Sequence, residues 1–134
     1  MIEINNQSRS KIDERLIRKT AENFLKKYKK SDFDLSIAII GDERMRKLNN
    51  SYRKKNKPTD VLSFEGDKRD KFLGEIVIDY AQIKRQAPKM KNTPKKELEF
   101  ILVHGLFHLL GYDDATDKGA EKMDKLARDF LKIK

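Results

Sequence analysis

The chain has 134 residues, which suits one domain with a hydrophobic core and is too short for two domains of ordinary size. Charged residues make up 40% of it and the net charge is +9, a balance that favours a polyanionic partner. Cysteine is absent, so disulfides and thiolate metal sites are excluded. No N-terminal segment resembles a signal peptide, and the apolar run near residues 100–110 is well short of the roughly 20 residues that span a bilayer. We therefore expect a cytoplasmic protein without a membrane partner.

The first half of the chain predicts two strands and two helices. Alternating residues predict a strand over 2–6, and Ser10 with Asp13 has the spacing of a capping box before an amphipathic helix. The nearly all-apolar segment 33–40 predicts a central strand. A short helix capped by Asp42 follows, with these expected buried positions: Met45, Leu48 and Tyr52.

The second half predicts a hairpin followed by three helices. Residues 61–64 and 73–78 have strand character and are joined by a polar, glycine-containing loop, which indicates antiparallel pairing. A helix over 80–87 stops near Pro88. Thr93 and Pro94 have the residue types of an N-cap and a first helical position, and they open an apolar helix that we expect to be buried. Thr116 begins the last helix.

The predicted order of elements is βαβαββααα. It indicates a single α+β domain over residues 1–134, with a mixed sheet of about four strands packed against helices.

The segment from His104 to Asp114 carries the clearest chemical signal. The chain's two histidines, His104 and His108, are four residues apart, so a helix presents both imidazoles on one face. Gly111 can end that helix in a left-handed conformation, after which Asp113 or Asp114 can turn back towards the histidines. Two imidazoles and one carboxylate form a three-ligand set for a zinc-like ion with an open position for water.

Two alternatives bear on this segment. A histidine pair on an apolar helix can instead be a pair of hydrogen-bonded core residues. Gly111 and Asp114 favour a metal site, because with His108 they repeat the H-x-x-G-x-x-ligand spacing of metzincin sites. Gly105, however, stands where zinc peptidases of the H-E-x-x-H type carry their glutamate base. The sequence therefore predicts a metal site that is not a standard peptidase.

Two segments carry much of the basic charge. Residues 43–57 contain seven lysines and arginines against one acid, and residues 84–96 contain six and no acid. Lysine runs are most often solvated surface. Because the two segments precede the histidine helix, we favour a nucleic-acid interface that is held by phosphate contacts.

Three blocks of the sequence resemble the YbeY family of endoribonucleases, which are bacterial rRNA maturation factors. H-G-L-F-H-L-L-G-Y-D-D at 104–114 is similar to the family's H-G-x-L-H-L-x-G-Y-D-H. The block at 48–64, L-N-N-S-Y-R-K-K-N-K-P-T-D-V-L-S-F, is similar to L-N-x-x-Y-R-x-K-D-x-P-T-D-V-L-S-F. L-G-E-I-V-I at 73–78 is close to L-G-D-I-V-I.

The resemblance implies a zinc-like site of three histidines and action on single-stranded RNA, with rRNA and the small ribosomal subunit as partners. Two of the implied ligands fall on His104 and His108. The third falls on Asp114, where this chain departs from the family's histidine and where a carboxylate can favour a harder metal. Asp113 falls on the family's own aspartate and is expected to support the ligands or the turn. The family's catalytic arginine falls on Arg53.

These observations leave three hypotheses. The first is a metal-dependent, single-strand-specific endoribonuclease in which Arg53 stabilises phosphoryl transfer. The second is a non-catalytic rRNA-binding assembly factor whose metal site is structural or lost. The third is a metal-dependent hydrolase of another substrate, with peptides disfavoured by Gly105.

Overall fold

The structure, a computed structural model, describes residues 1–132. Four strands form one mixed sheet: β1 (Ile2–Asn6), β2 (Asp34–Ile40), β3 (Val61–Glu65) and β4 (Phe72–Asp79). The strands lie side by side in the order β1-β2-β4-β3, and β3 is the antiparallel member, paired with β4. The predicted hairpin and the central position of β2 are confirmed.

Five α-helices complete the fold: α1 (Glu14–Lys27), α2 (Asp42–Arg53), α3 (Tyr80–Gln86), α4 (Pro94–Leu109) and α5 (Asp117–Leu131). Short 3₁₀ turns lie at Lys68–Asp70 and Pro88–Met90. The predicted order of strands and helices is confirmed, as is the α+β class. Within residues 1–132, none of the helices has the length and apolar composition needed to cross a lipid bilayer.

The helix α4 is buried because apolar residues occupy almost its whole circumference. It packs against β3, β4, α1 and α5. The hydroxyl of Thr93 accepts a hydrogen bond from the backbone N–H of Lys96 at 3.2 Å, and Pro94 occupies the first turn, as predicted. In its C-terminal half, the edge that carries His104 and His108 reaches solvent-filled space, and both side chains are partly exposed.

The C-terminal end of α4 turns the chain back towards the histidines. Gly111 has a φ of +100°, and its N–H donates to the carbonyl oxygen of His108 at 2.9 Å. The N–H of Tyr112 donates to the carbonyl oxygen of Phe107 at 3.2 Å. These two bonds form a Schellman motif, which satisfies carbonyls at the helix end and directs residues 112–114 back along the helix.

We predict that Gly111→Ala lowers the free energy of unfolding by about 1–2 kcal/mol, because an L-residue resists a left-handed backbone. No atom lies within 4 Å of a Cβ added at this position, so backbone conformation alone is tested. Urea denaturation of a series is the measurement. Gly111→Asn should lose least and Gly111→Val most, since asparagine tolerates this region and β-branched residues do not. Equal losses across the series would contradict this explanation.

Three local predictions are wrong. Asp13, and not Ser10, caps α1, because its carboxylate accepts from the N–H of Leu16 at 3.1 Å. Gly41 is the N-cap of α2, so Asp42 is the first residue of the helix. The positive end of the helix dipole stabilises the carboxylate there. Tyr52 is 66% exposed and is no core residue; Asn49 takes the buried position in that part of α2.

Candidate metal centre and RNA cleft

An open cleft of about 860 Å³ lies between the C-terminal half of α4, the strand β3 and the end of α2. His104 and His108 line one wall, and Asp114 lies at the turn beyond them. Arg53 lines the cleft from α2. The fold therefore brings four sequence-predicted site residues, from two distant parts of the chain, to one cavity.

The imidazole of His108 is oriented by the turn that Gly111 creates. Its Nδ1 lies 3.1 Å from the carbonyl oxygen of Tyr112. Because a carbonyl oxygen only accepts, Nδ1 carries the proton and Nε2 presents its lone pair in the neutral ring. That Nε2 faces a carboxylate oxygen of Asp114 at 3.5 Å. The lone pair of Nε2 and the carboxylate oxygen repel each other unless a cation, either a proton or a metal ion, lies between them.

His104 lies one turn earlier on α4 and is more enclosed. Its Nε2 is buried without a hydrogen-bond partner among residues 1–132. The ring of Phe100 covers it, with ring centroids 4.8 Å apart. Burial lowers the pKa of His104, and the carboxylate of Asp124 opposes that shift. The imidazole is thus held neutral, which is the form that binds metals, and a metal ion would satisfy its orphan nitrogen.

The donor atoms of His104, His108 and Asp114 suit a divalent ion, although the three side chains do not converge on one point. Within residues 1–132, no three histidine, aspartate or glutamate side chains are arranged to hold a metal ion. His108 and Asp114 are paired, and His104 presents an unsatisfied nitrogen one helical turn away. The three-ligand assignment stays a prediction.

The neighbouring residues pack closely around Gly105, the position where zinc peptidases carry their glutamate. A Cβ at Gly105 would lie 3.2 Å from side-chain atoms of both Ile76 and Ser63, so a larger residue there would require these two side chains to shift. Ser63 donates to the carbonyl oxygen of Gly105 at 3.3 Å and lines the cleft. Asp113 accepts from the N–H of Ala115 at 2.8 Å, which is the turn-shaping role expected for it.

Arg53 ends α2 at the rim of the cleft. Its side chain is exposed, and it has no carboxylate partner in the part of the chain that the structure describes, whereas Arg46 pairs with Glu43. Beside it, the exposed ring of Tyr52 packs edge-on against Phe64, with centroids 4.9 Å apart. The family resemblance indicated the arginine, but the hydrophobic pattern wrongly placed the tyrosine in the core.

The two basic segments have different positions. Residues 43–57 include Arg53, Lys55 and Lys57, which lie at the cleft or beside it. The segment 84–96 does not line the histidine cleft. Two of its lysines, Lys91 and Lys96, line a separate groove between α4 and α5.

A charged cluster around the buried Asp79 at the end of β4 was missed in the sequence, because its members come from three separate elements. Asp79 is fully buried, and one of its carboxylate oxygens has no hydrogen-bond partner among residues 1–132. Burial, followed by the neighbouring carboxyl of Asp42, raises the pKa of Asp79 to about 7. Arg85 binds both oxygens of Asp42 at 2.8 and 2.9 Å, which lowers the pKa of Asp42 to about 2.

We predict that Asp79 makes the protein less stable as pH rises. Its ordinary pKa is 3.8, so between about pH 4 and pH 7 the native state holds a proton that the unfolded chain has lost. Asp79→Asn removes that proton and keeps an acceptor for the N–H of Gln82. The free energy of unfolding of the variant, compared with that of wild type, should therefore increase by at least about 1 kcal/mol from pH 5 to pH 8. Urea denaturation at both pH values is the measurement, and an unchanged difference would contradict the prediction.

A second polar network lies behind the cleft wall and was also missed. The side-chain amide of Gln86 donates to Asp60 at 2.8 Å and to the buried Glu97 at 3.0 Å. Asn92 donates to the other oxygen of Glu97 at 3.3 Å. Since Asp60 lines the cleft, this network fixes one of its acidic walls through α3 and α4.

The fold and the site together define an α+β domain that presents a histidine pair, a carboxylate and an arginine to one open cleft. Comparisons with known proteins agree with this description. The family described as endoribonuclease YbeY matches residues 3–133. The chain therefore belongs to the endoribonuclease YbeY family.

Individual relatives support this membership. The chain is 42% identical to the endoribonuclease YbeY of Aquifex aeolicus, in an alignment that covers 81% of this chain and 73% of that protein. It is 38% identical to that of Petrotoga mobilis, over 90% and 85%. The match to the Thermodesulfovibrio yellowstonii protein, at 42% identity, covers 72% of this chain and 64% of the relative. The solution structure of TM1509 from Thermotoga maritima is similar, with a TM-score of 0.65, 27% identity, and coverage of 98% and 90%.

Proposed function

We propose that the protein is a metal-dependent endoribonuclease that cuts single-stranded RNA during rRNA processing and quality control of the small ribosomal subunit in the cytoplasm. The observation that carries the proposal is the convergence of Arg53, His104 and His108 on one open cleft. Membership of the YbeY family supports an endoribonuclease activity.

The metal would be held by His104, His108 and Asp114. Two features support this set: the orphan nitrogen of His104 and the facing acceptors of His108 and Asp114. Imidazole nitrogens suit zinc, and a carboxylate in place of the family's third histidine also suits harder ions. When bound, such an ion supplies Lewis acidity towards a phosphoryl oxygen.

The chain's own residues perform the remaining tasks. Arg53 has a planar guanidinium free to bind two phosphate oxygens, so it can orient the scissile phosphate and stabilise negative charge that develops on it. The carbonyl of Tyr112 holds the proton on Nδ1 of His108 and so keeps Nε2 directed into the site. Residues 112–114 are kept in place by the Schellman turn at Gly111.

A preference for single strands follows from the rim of the cleft. The ring of Tyr52 is 66% exposed and is held edge-on by Phe64, beside Arg53. A nucleobase released from pairing can stack on such a ring, whereas a base inside a duplex presents no free face. Arg53 and Tyr52 are adjacent in the chain, so phosphate and base would be held by the same end of α2.

We predict that RNA affinity falls steeply with salt. Arg53, Lys55 and Lys57 are the cations nearest the cleft, and each neutralised phosphate of a single strand contributes about 0.7 to the slope of log affinity against log salt. Three contacts give a slope of roughly 2. Fluorescence anisotropy with a labelled 2′-O-methyl strand, which resists cleavage, measures it. A flat response would exclude this surface as the contact.

The decisive test of the function is single-turnover cleavage of a short rRNA-like strand by protein purified without a histidine tag. We expect cutting of the single strand, little cutting of the same sequence in a duplex, and loss of activity after chelation with recovery on adding zinc. His108→Ala should show no recovery, while retaining the salt-dependent binding. Equal cutting before and after chelation would overturn the metal dependence.

One observation favours a second function. Asp114 stands where the family has a histidine, and the three candidate ligands in the described residues are not a closed set. A chain that had lost tight metal binding would act as an rRNA-binding assembly factor. Zinc-loaded wild type that binds the strand and never cuts it would support this reading over the nuclease.

A further inference from the structure

A second cleft of about 470 Å³ adjoins the histidine cleft and shares Arg53, Thr59 and Asp60 with it. Its other walls are formed by the loop after α2, which carries Lys55 and Lys57, and by side-chain amides of α3. We call it the side cleft. Because three residues line both cavities, a ligand that fills one can continue into the other past Arg53.

The two clefts have opposite charge. Arg53 is the single lysine or arginine of the histidine cleft within residues 1–132, and these acids line it: Asp60, Glu65, Asp113 and Asp114. Among the described residues, the side cleft has Arg53, Lys55 and Lys57 as its cations and Asp60 as its one acid. From side-chain charge alone, a polyanion is therefore retained better by the side cleft than by the histidine cleft, where a metal ion would supply the missing positive charge.

The cations of the side cleft stand on a fixed loop. Asn49 is 1% exposed, and its amide donates to the carbonyl oxygen of Lys57 at 2.8 Å. The N–H of Lys57 in turn donates to the carbonyl oxygen of Lys55 at 2.9 Å, and Lys54 adopts a left-handed φ of 57° that turns the loop away from the helix. A buried asparagine thus holds the backbone of both lysines, which lowers the ordering cost of binding.

Asp60, the acid that lines the side cleft among the described residues, is held by a hydrogen bond. The amide of Gln86 donates to Asp60 at 2.8 Å, and Gln86 is anchored in turn to the buried Glu97. The carboxylate is therefore tied to the cleft wall, and the lysines across the cleft are left to face solvent. A small anion is the ligand that this arrangement fits.

We propose that the side cleft is a subsite for the backbone phosphate next to the scissile one, held by Lys55 and Lys57. The strand would pass Arg53 as it leaves the histidine cleft, and the neighbouring phosphate would enter the side cleft. This inference rests on the proposed RNA substrate. It assigns strand retention to the side cleft and chemistry to the acidic histidine cleft.

The test uses uridine 3′,5′-bisphosphate, which carries two adjacent phosphates on one nucleoside, beside uridine 3′-phosphate and uridine 5′-phosphate, which carry one. Binding is measured by NMR titration of the full chain, so it does not depend on cleavage. We expect the bisphosphate to bind wild type about tenfold more tightly than either monophosphate. In a Lys55→Gln/Lys57→Gln double variant this advantage should vanish.

A Lys11→Gln/Lys19→Gln double variant removes the same charge from exposed positions that line neither cleft, and it should keep the tenfold advantage. Equal binding of all three nucleotides to wild type would overturn the subsite. So would a bisphosphate advantage that survives loss of Lys55 and Lys57. Failure of the nuclease proposal would appear separately, as absent RNA cleavage with the nucleotide preference intact.

Discussion

Arg53→Ala is expected to slow single-turnover RNA cleavage by a hundredfold or more while leaving metal affinity unchanged. In the ground state Arg53 is one of three cations that the described residues place at the two clefts, so its loss removes a modest share of the binding energy. In the transition state it would face additional negative charge within the cleft, where a preorganised donor contributes about 3–4 kcal/mol. The effect should therefore fall mainly on the rate at saturating protein.

Arg44→Ala is the matched control, because Arg44 lies on the same helix and lines neither cleft. It should bind and cut nearly as wild type does. Arg53→Lys should recover part of the rate, since an ammonium keeps the charge and loses the two-pronged contact with phosphate oxygens. Cleavage by Arg53→Ala at the rate of wild type would remove Arg53 from the chemistry.

The sequence predicted the fold well because its elements follow hydrophobic periodicity and local caps. The buried stripe of α1, the apolar β2 and the Thr93–Pro94 start of α4 each depend on neighbours in the chain. The errors arose where local choices compete. Ser10 and Asp13 can both cap a helix, and the structure uses Asp13. Tyr52 lies on the apolar spacing of α2, yet the sheet covers Met45 and leaves the tyrosine at the cleft rim.

The candidate site was predictable only in part. His104 and His108 are found by spacing on one helix, and the structure places both at the cleft. The contact of Asp114 with His108 depends on a single turn, so the sequence could anticipate that as well. The position of Asp79 beside the Asp42–Arg85 pair could not be anticipated, because it brings the ends of separate elements together through the tertiary fold. The same is true of the link from Gln86 to Asp60.

The second large expected effect is on zinc affinity, and it comes from position 114, where this chain has an aspartate in place of the family's histidine. We expect Asp114→His to bind zinc at least roughly tenfold more tightly, a change of about 1.4 kcal/mol. Imidazole is a better donor than carboxylate for a borderline ion, and the turn at Gly111 already brings residue 114 to Nε2 of His108. Competition with a fluorescent chelator measures the affinity without reference to nuclease activity.

Asp113→His is the matched control for this change. It adds an imidazole one residue away, at a side chain that the turn uses to bind the N–H of Ala115, so it should not raise zinc affinity. If both variants bind zinc alike, the gain comes from an added histidine anywhere in the turn, and residue 114 has no special geometry. If Asp114→His binds zinc no better than wild type, the surroundings of His108 are built for a carboxylate. A manganese or magnesium ion, which prefers oxygen donors, then becomes the ion to test at this centre.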